Sequence, residues 1–181
     1  VKAVLDACVL YPTVLREILT GVARAGLFTP LWSDRLLEEW ARAARKLGDG
    51  AETIARGEVA LLRAEFPAAS VPARPAIEAR LTLPDENDRH VLAVAIAAGA
   101  DAILTFNAAD FPRHVLAEEG LARRDPDGFL WELWSHHPDE VSGVAEAVRA
   151  KAERLSGRPQ PLRALLKRAQ LPRLGKAMDQ V

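Results

Sequence analysis

The chain has 181 residues, 49% of them hydrophobic and 27% charged, with a formal net charge of −1 and a single cysteine. That length and hydrophobic share exclude global disorder and suit one domain with a sizeable core plus an appendage. The lone Cys8 excludes an intrachain disulfide framework and a multi-cysteine zinc site, and it predicts a cytoplasmic setting.

No apolar run reaches the roughly 18 residues of a transmembrane helix, and Val1 to Asp6 turns acidic too early for a signal peptide. Residues 2–5 are a short apolar run ending in Asp6, which predicts a buried parallel strand. Residues 13–25 follow helical spacing, with Val14, Ile18, Leu19 and Val22 on one face and Gly26 as the stop. Residues 27–32 predict a second short strand, and Pro30 places it near a strand end or edge. Ser33 is a good N-cap for a helix from Asp34 to Leu47. A further helix spans 51–65.

The segment 67–84 holds four prolines and reads as a connector with a short extended piece around Ile77 to Leu83. An apolar helix then runs from His90 to Ala98 and stops at Gly99. Residues 102–105 predict a strand, and 113–119 a short helix. From Phe129 the pattern is helical, first around Trp134, then from Val141 to Leu155, then over 162–170, before an end interrupted by Pro and Gly. Strand–helix–strand alternation with short links argues for α/β with a parallel sheet. A boundary near residue 127 divides an α/β domain over 1–126 from a helical C-terminal extension over 127–181.

The charge is polarised. Residues 1–140 carry −7 and residues 141–181 carry +6. The basic tail suits phosphate or an acidic partner, and equally a solvated helical face.

Four segments put a carboxylate just past a strand or at a helix start: Asp6, Glu39, Asp88 and Asp110. In open parallel sheets, sites form outside the carboxyl ends of the strands, so these distant acids can meet in one cleft. Crowded carboxylates repel and raise one another's pKa, a cost that a hard divalent cation relieves. Such an ion polarises a phosphodiester and lowers the pKa of a water. Each acid also has an ordinary reading: a strand-end turn for Asp6, an exposed helix position for Glu39, a helix cap for Asp88, a turn for Asp110.

In order, four stretches resemble the motifs of the PIN-domain family, the nuclease fold of VapC-type toxins. They are Val4-Leu5-Asp6-Ala7-Cys8-Val9-Leu10, Ser33 through Trp40, Asp85-Glu86-Asn87-Asp88 running into Val91-Leu92-Ala93-Val94-Ala95, and Thr105-Phe106-Asn107-Ala108-Ala109-Asp110-Phe111-Pro112. The last two are the most specific, and the match covers roughly residues 1–125. The resemblance implies a PIN-like α/β/α sandwich with a central parallel sheet. It implies an endoribonuclease dependent on Mg²⁺ or Mn²⁺, with Asp6, Glu39, Asp88 and Asp110 as catalytic residues and Asp6, Asp88 and Asp110 on the metal. It also implies the toxin of a type II toxin–antitoxin pair, with RNA as substrate, an antitoxin protein as partner and a possible homodimer. The helical tail is similar to longer members of the family.

Within that resemblance Glu39 is favoured over the adjacent Glu38, since two neighbours on a helix point about 100° apart. Asp85 competes with Asp88, and the apolar helix that follows favours Asp88. Asn107 stands where many relatives carry Asp, so it holds a water or phosphate oxygen without adding charge. Thr105 orients a water, and Arg42, with Arg45 and Lys46, either meets RNA phosphate or forms helix-end pairs. A catalytically silent RNA- or protein-binding module and a DNA flap-type nuclease are the alternatives.

Other candidates take mostly structural roles. His136 and His137 before Pro138 read as a helix-end pair, and His90, within a turn of Asp88, as a structural residue or a substrate contact. Trp131 and Trp134 pack a helix. Cys8 reads as core, pointing away from Asp6 on the other strand face, with no paired base.

Overall fold

The computed structural model describes residues 1–180. They fall into two compact units: Val1–Tyr11 with Phe28–Arg124, and Pro12–Leu27 with the chain from Asp125 onward. The helix over residues 13–24 thus groups with the C-terminal helices, so one cut in the chain does not separate the units.

The first unit holds strands β1 (Lys2–Leu5), β2 (Thr29–Leu31), β3 (Ala102–Leu104) and β4 (Ala122–Arg124), in the order β2-β1-β3-β4 and all parallel. Val4 pairs with Leu31 on one side and Ile103 on the other. Ala3, Val4, Leu5, Ile103 and Leu104 are fully buried, which is why these strands read as continuous apolar runs rather than alternating ones. Pro30 lies on the outer strand β2, where its missing N–H is tolerated. The fold class is α/β with a central parallel sheet, as expected from the alternation.

The helices of this unit are α1 (Ala7–Leu10), α3 (Asp34–Ala43), α4 (Ala51–Glu65), α5 (Pro75–Arg80), α6 (Arg89–Ala97) and α7 (Arg113–Glu118). Ser33 Oγ accepts the Leu36 N–H at 3.2 Å and caps α3. A 3₁₀ turn over Ala44–Leu47 closes that stretch. Helix α6 buries His90 to Ala95 without a break, and Gly99, at φ 63°, ends it in a conformation costly for other residues.

One sequence expectation is corrected here, and one strand is added. The piece around Ile77 to Leu83 is not extended: α5 occupies Pro75–Arg80, because Pro75 sits at a helix start, where its fixed φ favours the turn. Strand β4 went unread because Ala122-Arg123-Arg124 lacks an apolar pattern; its partly exposed arginines disguise a strand paired with β3.

The second unit is helical: α2 (Thr13–Arg24), α8 (Pro126–His136), α9 (Pro138–Ser156), α10 (Leu162–Arg168) and α11 (Pro172–Asp179). Gly21 lets α2 approach α9 closely, since a Cβ there would lie 2.6 Å from Val144 Cγ1. Lys151 pairs with Glu17 at 2.7 Å across the same two helices. The Asp127 carboxylate accepts the N–H groups of Arg173 and Leu174, both at 2.9 Å, which starts α11. The Arg173 guanidinium stacks 3.7 Å over the Trp131 ring, and Trp134 Nε1 donates to Ser142 Oγ at 3.2 Å. The proline-broken end therefore carries one more helix than its sequence suggests, with Pro172 at its first turn. Among the described residues no helix is long and apolar enough to cross a membrane.

Candidate active site

The strand order reverses direction around β1: the chain leaves β1 for β2 on one side and returns through β3 on the other. The carboxyl ends of β1 and β3 therefore flank a switch point, the place where open α/β sheets form sites. Asp6 is the first residue past β1, and Thr105 the first past β3. Both are nearly fully buried.

Three donors fix the Asp6 carboxylate. Its Oδ1 accepts the Ala7 N–H at 2.8 Å, which caps α1, and its Oδ2 accepts the Thr105 hydroxyl at 2.8 Å. Thr105 Oγ1 in turn accepts the Asn107 N–H at 3.0 Å. The third donor is Cys8, whose Sγ lies 3.5 Å from Oδ2 and accepts the Phe106 N–H at 3.4 Å. This corrects the reading of Cys8 as facing away. The chain turns into α1 directly after Asp6, so strand alternation stops there and the thiol swings back to the acid. Burial, then the Asp6 charge, push the Cys8 thiol up to about 11, so it stays protonated. Burial raises the Asp6 carboxyl too, against the hydrogen bonds from Thr105, Ala7 and Cys8; the Glu39 charge adds to the rise.

Asp88 stands at the start of α6, yet its side chain makes no cap bond. The capping there is done one turn earlier by Asp85, which accepts the Asn87 N–H at 2.9 Å. The Asp88 carboxyl is pushed up to about 6, first by burial, then by the charges of Asp110, Asp6, Asp85 and Glu39. Five carboxylates thus share one electrostatic neighbourhood, and the four acids singled out in the sequence are among them.

The adjacent glutamates of α3 diverge. Glu39 Oε1 lies 2.7 Å from His90 Nε2 and 4.0 Å from Arg35 Nε. Glu38 turns to Arg56 at 2.8 Å and Arg42 at 2.9 Å, and hydrogen bonding to Arg56 first, then to Arg42, holds its carboxyl down to about 2. Arg42 is therefore engaged with Glu38 rather than with the carboxylate cluster, and Arg45 with Glu52. His90 is 5% exposed; the 2.7 Å approach to Glu39 lies off the ring N–H direction, so neither ring nitrogen has an aligned hydrogen-bond partner.

Asp110 sits in the turn Ala108–Asp110, next to the fully buried Phe111, with Asn107 exposed just ahead of it. Arg123 on β4 holds that turn: its Nη1 donates to the carbonyls of Ala108 at 2.8 Å and Phe111 at 3.1 Å. Sequence reasoning missed Arg123 because it missed β4.

Among the described residues, no three Asp, Glu, His or Cys side chains stand close enough to ligate one ion directly. Mg²⁺ usually takes one or two carboxylates and completes its shell with water and phosphate oxygens, so the oxygen donors here fit that hard ion rather than an all-protein cage. The crowding around Asp88 is a second point of fit, since a cation relieves it.

A family model described as PIN domain matches residues 2–109. No curated protein and no solved structure gave a match. Domains of this kind are generally nucleases, hydrolases that typically use divalent metals.

Proposed function

This chain belongs to the PIN-domain family, and from that premise we propose that it is a Mg²⁺- or Mn²⁺-dependent endoribonuclease, the toxin of a type II toxin–antitoxin pair acting in the cytoplasm. The observation that carries the reading is Asp88, a carboxylate that caps nothing and feels four others at the sheet's switch point.

Asp6, Asp88 and Asp110 would hold the ion directly or through water, with Glu39 as the fourth acid. A bound divalent ion supplies Lewis-acid polarisation of the phosphodiester and a water of lowered pKa. The chain's own work is positioning. Thr105 and Ala7 hold Asp6 in one orientation. Arg123 fixes the turn that presents Asp110. Glu39, half-exposed where Asp6 is buried and set beside His90 at 2.7 Å, would orient a water at the cleft. Neutral Asn107 offers a hydrogen bond to a water or phosphate oxygen. An antitoxin that silences this cleft would insert a basic side chain among the acids. A homodimer is part of the same proposal.

The test is cleavage of single-stranded RNA by the purified chain with Mn²⁺, beside DNA flap substrates and a chelated control. RNA cleavage lost with chelator and in Asp6→Asn and Asp88→Asn supports the proposal. Absence of Mn²⁺ binding by calorimetry, with no chelator effect, would leave a silent binding module instead.

A further inference from the structure

We propose that the junction of α9 and α10 is a docking surface for the phosphate backbone of single-stranded RNA, held by Arg154, Arg158, Lys167 and Arg168. This rests on the nuclease reading above and adds to it a substrate-holding surface on the helical unit.

The charge of this stretch is unevenly answered. Residues 141–181 carry nine Lys and Arg against three Asp and Glu. All three acids are taken up within the unit. Glu146 and Glu153 both pair with Arg149, at 2.6 and 3.1 Å, and Asp179 pairs with Arg163 at 2.9 Å. Lys151 is answered by Glu17. Arg154, Arg158, Lys167 and Arg168 are exposed and pair with no carboxylate among the described residues.

Folding gathers these four cations. Helix α9 stops at Gly157, whose left-handed φ of 67° turns the chain, and Gln160 then bridges α9 to α10. The Gln160 Nε2 donates to Ser156 Oγ at 3.0 Å, and its Oε1 accepts from Arg168 Nη2 at 2.6 Å. Ser156 Oγ also accepts the Arg158 N–H at 3.3 Å. Arg168 is thus tied to the turn that carries Arg158, with Arg154 in the last turn of α9. Leu165 and Leu166 take the inward side of α10, which leaves Lys167 and Arg168 outside. Glu153, the acid of this junction, already holds Arg149 and the Gln160 N–H.

Cations spread over an open turn suit an extended polyanion, which neutralises phosphates one by one and releases their counterions. Arginine suits phosphate in particular, because its planar fork can bind two oxygens at once. Arg168 spends one N–H on Gln160, and the Arg154 and Arg158 head groups spend none among the described residues. RNA is favoured over an anionic membrane because Leu155 is the one large apolar side chain exposed in this unit among the described residues. A helix lying in a bilayer surface needs a whole apolar face.

The experiment is a fluorescence anisotropy titration of the full-length, metal-free protein, in chelator, into a labelled oligouridylate of about 20 nucleotides. We expect saturable binding whose log affinity falls against log salt by about 0.7 per phosphate neutralised. Arg154→Gln, Arg158→Gln and Lys167→Gln together remove no side-chain contact within the fold. They should weaken binding at least about ten-fold and lower the salt slope by about 2. NMR shifts on adding the RNA should fall at the amides of residues 154–160 and 167–168. No saturable binding, an unchanged affinity in the triple variant, or shifts confined to other residues each overturn the surface. So does polyglutamate, or a phosphatidylglycerol vesicle, that displaces the labelled RNA as well as unlabelled RNA does. If RNA cleavage still depends on Asp88 in that event, the nuclease reading stands without the surface. If the RNA binds as expected but the Mn²⁺-loaded protein cuts none, the nuclease reading fails and the surface remains.

Discussion

The Thr105 hydroxyl donates to Asp6 Oδ2 across 2.8 Å, a bond between residues 99 apart in sequence that ties the carboxyl end of β3 to that of β1. That hydroxyl, with the Ala7 N–H on the other oxygen, sets the orientation of the most buried acid in the cluster. Residues that orient a metal ligand typically matter about 10–100-fold in affinity or activity. Thr105→Val should therefore weaken Mn²⁺ binding, read by calorimetry, and RNA cleavage by about that factor. Thr105→Ser, which keeps the donor, should restore most of both.

Asp88→Asn should separate activity from stability. Cleavage should fall on the order of 10²–10³-fold, the cost typical of losing one electrostatic stabiliser of a transition state. The metal-free protein should at the same time melt higher than the parent at pH 8, because the substitution removes a charge that burial and four carboxylates disfavour. Thermal unfolding in chelator checks this; an unchanged or lower midpoint at pH 8 would count against the shared electrostatic neighbourhood.

The same crowding sets a pH dependence. In the folded chain the Asp88 carboxyl is raised from 3.8 to about 6, and that of Asp6 is raised as well. A carboxyl raised on folding contributes stability below its unfolded pKa and loses it as pH rises through the folded value. The metal-free midpoint should thus fall between about pH 4 and pH 7, with the steepest part for Asp88 midway between its unfolded and folded values, at about pH 5. Saturating Mn²⁺ should flatten that fall, and its stabilising effect should be larger at pH 7.5 than at pH 5.

Glu38 and Glu39 offer an internal control. Glu39→Gln removes a carboxylate that Asp6 and Asp88 both feel, and should lower cleavage at least about ten-fold. Glu38→Gln breaks exposed pairs with Arg42 and Arg56 and should leave cleavage within about two-fold, since such pairs contribute little. The reverse ranking in a cleavage assay would move the site to the other face of α3.

In the second unit, two glycines should respond in opposite directions. Gly21→Ala adds a Cβ 2.6 Å from Val144 Cγ1, and overpacking of about 1–3 kcal/mol outweighs the helix-propensity gain of about 1 kcal/mol. Gly143→Ala on α9 meets nothing within 4 Å, so only the gain applies. Denaturant melts should show the first variant less stable than the parent and the second more stable.

Much of the fold is local and was legible. The apolar runs of β1 and β3 announce buried parallel strands, Ser33 announces α3, and the six consecutive buried residues of α6 announce an internal helix. What escaped depended on partners far away in the chain. Strand β4 is a strand only because β3 pairs with it, and its Arg123 gains meaning only from the carbonyls of Ala108 and Phe111. Cys8 was misplaced because the chain leaves the extended conformation at Asp6, which no period-2 pattern records.

The sequence by itself determined which residue types are available: acids placed just past apolar strands, on the expected sides of helices, with one thiol and no second cysteine to pair with it. Tertiary structure alone decided which of those acids share a field, because strand order brings β1 and β3 side by side while Glu38 is drawn off by Arg56. It alone also decided that Asp88 caps no helix and that His90 is buried without an aligned partner. Desolvation and Coulomb repulsion depend on distance and burial, and neither quantity exists until the chain has folded.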